Sequence, residues 1–172
     1  MSEQTTAPAM RLGLGAGIGM VVAVLGVAVI WVALGGYLLH LHSFFASFIF
    51  VWYWCSVERQ AFNRWVPSLA GSLVGLAGAW QLAYLTAHYG AAGTGIAVLV
   101  IALLLLCLMM QWLTAVVNMP AMLFLTVFSA PQFASADYVE LAGAITGGAV
   151  FIAVVTFVTS RAVAFFGSPK AA

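Results

Sequence analysis

Nine charged side chains and three histidines are all that this 172-residue chain offers for proton transfer, ion binding or metal ligation. The most suggestive set is His40-Leu41-His42 with His88, Asp137 and Glu140. Its mixed nitrogen and oxygen donors can hold a divalent cation, and its histidines can sense pH because they titrate near neutrality. The His-x-His pair matches no common metal spacing, so no metal is assigned. A second set, Glu58-Arg59 with Arg64, places both signs of charge within a few residues. Cys55 and Cys107 sit in apolar runs and give neither a disulfide framework nor a zinc spacing. There is no nucleophile elbow, no HExxH and no paired acids within an apolar run. No enzyme and no cofactor are expected.

These residues are held by an unusual chain. Its apolar residues make up 65% and its charged residues 5%, against roughly 45–50% and about 25% in ordinary soluble domains. Such a chain cannot cover a water-facing surface, but it suits a bilayer. A net charge of +1 gives no reason to expect a nucleic-acid partner. A helix crosses the hydrocarbon with about 20 apolar residues. Residues 12–39, 67–87, 94–117 and 139–166 meet this easily. Residues 43–57 and 119–130 are shorter, and each is a short span or a re-entrant half-helix. The apolar run after Arg11 is too long for a signal peptide, so Leu12 onward is expected to remain as the first span.

Charge placement favours counting both short segments as crossings. With the N-terminus inside, Arg11, Arg59, Arg64, Arg161 and Lys170 all fall on the cytoplasmic side. The outer loops then carry His40, His42, His88, Asp137 and Glu140 and no Lys or Arg, as the positive-inside rule requires. The expected fold is an all-α, six-span bundle in a bacterial inner membrane. Residues 1–11 and 168–172 form cytoplasmic tails, and 12–90 and 91–167 form two halves of three spans each.

Each half reads long, short, long. Leu69-Ala70-Gly71-Ser72-Leu73-Val74-Gly75 and Leu141-Ala142-Gly143-Ala144-Ile145-Thr146-Gly147 share one pattern at an offset of 72 residues. Phe45–Phe50 and Pro120–Leu125 align more loosely. Three spans per repeat force the halves to be inverted, an architecture whose sites lie near the midplane beside short or interrupted helices. That places the candidate substrate or pore lining at Phe48, Trp52, Ser72, Phe124, Thr126 and Thr146. His40, His42 and His88 are ordinary interfacial residues in the first instance, with a pH gate or outer mouth as the functional alternative. Glu58, Arg59 and Arg64 read first as a topology-setting turn, then as an intracellular gate or substrate contact. Asp137 and Glu140 read as acids favouring a helix N-terminus.

Gly13, Gly15, Gly17 and Gly19 form overlapping GxxxG pairs that allow close helix packing, within the chain or between copies. The tryptophans and tyrosines suit an interfacial belt, although Trp52-Tyr53-Trp54 is dense enough to line a path. Polar residues within the spans are few and uncharged, which disfavours a proton pump. The expected function is a channel, facilitator or transporter for a small, mostly uncharged solute. The chain is expected to be a homo-oligomer surrounded by membrane lipid. A non-transporting accessory or assembly subunit of a larger membrane complex is the alternative.

Phe44-Phe45-Ala46-Ser47-Phe48, Met119-Pro120-Ala121-Met122-Leu123-Phe124 and the glycine-bearing last span from Leu141 together resemble the bacterial membrane family called domain of unknown function 1097. Glu58-Arg59-Gln60 stands where that family often has a glycine-rich turn. The resemblance implies an inner-membrane location and assigns no functional residue.

Overall fold

A computed structural model describes residues 13–166. The expected tails, 1–11 and 168–172, with Arg11 and Lys170, lie outside the described residues. The described chain forms five α-helices and no strand: α1 (Leu14–Leu38), α2 (Phe45–Ser56), α3 (Phe62–Met109), α4 (Met119–Phe128) and α5 (Tyr138–Phe166). A short 3-10 turn, Pro131–Phe133, precedes α5. Three helices, α1, α3 and α5, are long and apolar enough to cross a membrane, and α2 and α4 are shorter apolar helices. Ile18, Val21, Val22, Leu25 and Val29 on α1 are all more than half exposed. An apolar surface of that kind is stable against lipid and costly against water.

The third and fourth expected spans join into the single 48-residue helix α3. Its path breaks at Gly90, whose φ of 56° and ψ of −134° no L side chain adopts readily. Residues 78 and 104 would stand about 39 Å apart in a straight helix at 1.5 Å per residue. Instead, a Cβ built on Gly78 lies 3.7 Å from Leu104 Cδ1. Thr86 and Thr94 meet at 3.1 Å through their hydroxyl oxygens, and a Cβ on Gly93 would strike the Leu85 carbonyl. α3 is therefore two antiparallel arms, 62–89 and 91–109, folded at one residue.

Two boundaries differ from the sequence expectation. α3 begins at Phe62, five residues before Pro67. Proline removes one helical donor inside the helix, and tertiary contacts hold the turn before it. Phe62 meets the Trp54 ring edge-on at 5.7 Å, and Trp65 Nε1 donates to the Ala149 carbonyl at 3.0 Å. The second arm ends at Met109 instead of running to Val117. There Trp112 N–H bonds the Cys107 carbonyl at 2.8 Å and Gln111 N–H the Leu108 carbonyl at 3.1 Å. This is a Schellman end with Gln111, at φ 56°, in the left-handed position that glycine ordinarily takes.

The short helices cross over to the opposite half. α4 lies on the first arm of α3, where a Cβ at Gly75 would collide with the Ala121 carbonyl. α2 lies on α5, where a Cβ at Gly148 would stand 2.6 Å from Ser47 Cβ. In lipid no hydrophobic force separates one apolar helix from another, so close approach at small residues supplies the packing. Phe50, Trp54, Phe124, Phe128 and Ile145, each under 2% exposed, fill the space between.

α1 is anchored near its C-terminal end. Trp31 Nε1 donates to Ser47 Oγ at 2.9 Å, and its ring stacks on Phe151 at 5.3 Å. Toward the N-terminus, Gly13, Gly15, Gly17, Gly19 and Gly26 have nothing within 4 Å of a built Cβ. The GxxxG pairs of the first span therefore pack against nothing in the described chain.

Candidate functional site

A cavity of about 250 Å³, its lining half polar and half apolar, opens at one end of the bundle. Four segments build it. The last turn of α2 and the following turn supply Tyr53 and Glu58, and the start of α3 supplies Arg64, Pro67 and Ser68. The end of the second arm and its loop supply Leu108, Gln111, Thr114 and Val117, and the start of α4 supplies Asn118, Met119 and Pro120. The first two segments and the last two lie about fifty residues apart in sequence, and the fold-back at Gly90 brings the two pairs together.

Local chemistry explains each position. Asn118 caps α4, its Oδ1 accepting from Ala121 N–H at 3.4 Å. Its Nδ2 donates to the Pro67 carbonyl at 2.8 Å and so ties the α4 start to the α3 start. A Cβ on Gly71 would collide with Asn118 Oδ1, so the contact requires glycine. Ser72, one turn deeper than Ser68, donates its hydroxyl to the Ser68 carbonyl at 2.8 Å. Tyr53 OH donates to Glu58 Oε1 at 3.0 Å.

Two loops border the cavity, and both carry backbone in the left-handed region. Five non-glycine residues among the described ones have positive φ, and four of them, Arg59, Gln60, Gln111 and Leu113, belong to these loops. Each costs of order 1–3 kcal/mol, and such conformations gather at functional sites. The fifth is His40, at the end of α1.

The six residues expected to line a path divide into two groups. Ser72 and Phe124 are fully buried, Phe124 within the main hydrophobic core. Phe48, Trp52, Thr126 and Thr146 are on the outer surface. Thr126 and Thr146 bond their own helix, to the Met122 and Ala142 carbonyls at 2.8 and 2.9 Å. These four line a path only where another copy packs against them.

At the opposite end, Glu140 Oε1 accepts from the backbone N–H groups of His42 and Ser43, at 2.5 and 2.8 Å. Its distance to His42 Nδ1 is 3.8 Å. Asp137 Oδ1 caps α5 through Val139 and Glu140 N–H at 2.9 and 3.1 Å. His88 stays on the first arm of α3, its Nδ1 2.9 Å from the Tyr84 carbonyl. Among the described residues no group of three or more His, Cys, Asp or Glu side chains is placed to hold a metal ion.

Sequence reasoning named Glu58 and Arg64 but missed Ser68, Gln111, Thr114 and Asn118 as their partners. One signal for Asn118 was available, since Asn-Met-Pro before an apolar run is a helix start.

Fold and cavity together define, for the described residues, an all-α architecture with membrane-compatible helices and a half-polar pocket at a bundle end. No protein-family model, curated protein or solved structure matches the chain.

Proposed function

We propose that the chain is a facilitator or transporter for a small solute without net charge, set in a bacterial inner membrane with both termini cytoplasmic. The observation that carries this reading is the half-polar cavity at the end of an otherwise apolar bundle. Apolar packing alone gives no reason to bring the unpaired Glu58 and Arg64 to one place with the Ser68 and Thr114 side chains. Phe50, Trp54 and Phe124 are fully buried in the apolar core and do not line the cavity.

The six-span, inverted-repeat architecture belongs to the same proposal. The two arms of α3 count separately across Gly90, and α2 and α4 complete the six. Each short helix sits on the glycine face of the long helix from the other half, at Gly75 and Gly148. That exchange is what an inverted repeat produces.

The test is stopped-flow light scattering on proteoliposomes with water, urea, glycerol and short amides. One solute should equilibrate faster than in empty liposomes, and Thr114→Trp, which fills the cavity from an exposed loop, should abolish the gain. No acceleration for any small solute without net charge, zwitterions included, would reject the proposal.

A second reading, an accessory subunit, is favoured by one observation. The glycines of the N-terminal half of α1 face nothing in the described chain. Co-purification of a stoichiometric partner would favour it, whereas a stable homo-oligomer would assign that face to another copy.

A further inference from the structure

Glu58 and Arg64 line one cavity and carry opposite charge, yet they do not pair. Among the described residues their charged atoms are more than 4.0 Å apart, and the ion pair within that limit is His42 with Glu140. Glu58 is held from one side, by the Tyr53 hydroxyl on Oε1. No other side chain among the described residues takes its second oxygen or the Arg64 guanidinium. The cavity of about 250 Å³ is therefore lined by one available anion and one available cation. Among the other lining residues, Gln111 Nε2 is spent on the Leu108 carbonyl and the Asn118 amide on Pro67, Thr114 and Ala121. These two amides are structural, and the two charges remain for recognition.

We infer that the cavity binds a small zwitterion, with the ligand's anionic group on Arg64 and its ammonium on Glu58. Guanidinium binds carboxylate or phosphate through two parallel hydrogen bonds, and a carboxylate binds ammonium by charge-assisted ones. A dipolar ligand satisfies both protein charges and adds no net charge to the membrane. An ion of either sign satisfies one and is repelled by the other, so rejection is built into the same pair. The inference rests on the solute-facilitator reading and narrows its substrate class to amino-acid-like molecules or a lipid headgroup of the same charge pattern.

The full chain in phosphatidylglycerol nanodiscs is titrated calorimetrically with glycine, β-alanine, 4-aminobutyrate and glycerophosphoethanolamine, and with propionate, propylamine and acetamide as controls. One zwitterion should bind saturably and at least about tenfold more tightly than every control, the loss expected for one missing charge-assisted contact. Glu58→Gln, which keeps the acceptor for Tyr53, and Arg64→Gln should each weaken it by about tenfold or more. Arg59→Gln, the same charge change in the adjoining loop, should not. If phosphatidylethanolamine nanodiscs suppress the binding, the zwitterion is a headgroup; if they do not, it is a free solute. Binding of propionate, propylamine or acetamide as tight as any zwitterion would overturn the inference, as would binding indifferent to both variants, or no binding at all. Flux of urea or an amide without zwitterion binding would overturn the inference alone. Zwitterion binding without flux of any solute would uphold it and overturn the facilitator reading.

Discussion

Asn118 uses both amide protons, on the Pro67 and Thr114 carbonyls, and its oxygen for structure. Its amide NH₂ bonds Pro67, its oxygen caps α4, and both depend on the absence of a side chain at Gly71. The two residues therefore act as one unit. Asn118→Ala should cost about 1–3 kcal/mol, a lost cap together with an unmet carbonyl partner. Gly71→Ala should cost a similar amount by displacing the amide. In the double variant the costs should not add, leaving a coupling of about 1–2 kcal/mol. Reversible unfolding in mixed micelles measures all three, and strict additivity would show that Gly71 and Asn118 are not in contact. Asn118→Ser, which keeps a capping oxygen but cannot reach Pro67, should fall between wild type and alanine.

At the scale of elements, stability hinges on where glycine is used. Gly75→Leu should push α4 from α3 and destabilise by about 1–3 kcal/mol, the usual cost of overpacking. Gly143→Leu should be close to neutral, because nothing lies within 4 Å of a Cβ there. Equal effects in a thermal-unfolding assay would contradict the packing described. The two glycines also show what the sequence discloses. The L-A-G-small-aliphatic-x-G pattern marked Gly71, Gly75, Gly143 and Gly147 alike, and three of the four make close contacts. Gly143 does not, because the residue that would reach it is missing. Its counterpart Gly71 receives Asn118, whereas α2 begins at Phe44 with no side-chain cap. Hydropathy likewise located α1, α2, α4 and α5 to within a few residues, since apolar runs of that length have few other places to go. It failed at Met109. Residues 110–117 are nearly as apolar as the helix before them, and the left-handed residue ending it is Gln111 instead of glycine. Apolarity reports the surroundings of a segment and not its backbone. The cavity was illegible for the same reason, its walls being brought together by the turn at Gly90 and by the strained ends of two helices.

For the molecule as a whole, the cavity fixes which ends lie together. Glu58, Arg64, Gln111 and Thr114 share one end, while His42 and Glu140 meet at the other. On the proposed orientation, Arg59 and Arg64 put the cavity end in the cytoplasm, as the positive-inside rule expects. In a chain whose Cys55 and Cys107 are replaced by alanine, Gln132→Cys should react with an impermeant maleimide added to intact cells. Gln60→Cys should react only after the cells are opened. The reverse pattern would invert the orientation, and reaction of both in intact cells would remove the membrane-spanning arrangement. On the proposed reading, in which each arm crosses the bilayer, the one-residue turn at Gly90 bears on biosynthesis. A chain leaving the ribosome normally delivers a hydrophilic loop across the bilayer between two spans. Here no such loop exists between 89 and 91, so neither arm can settle before its neighbour is made. The pair must partition into lipid as one preformed hairpin, and a translation pause between the arms would strand the first with its exit unfinished.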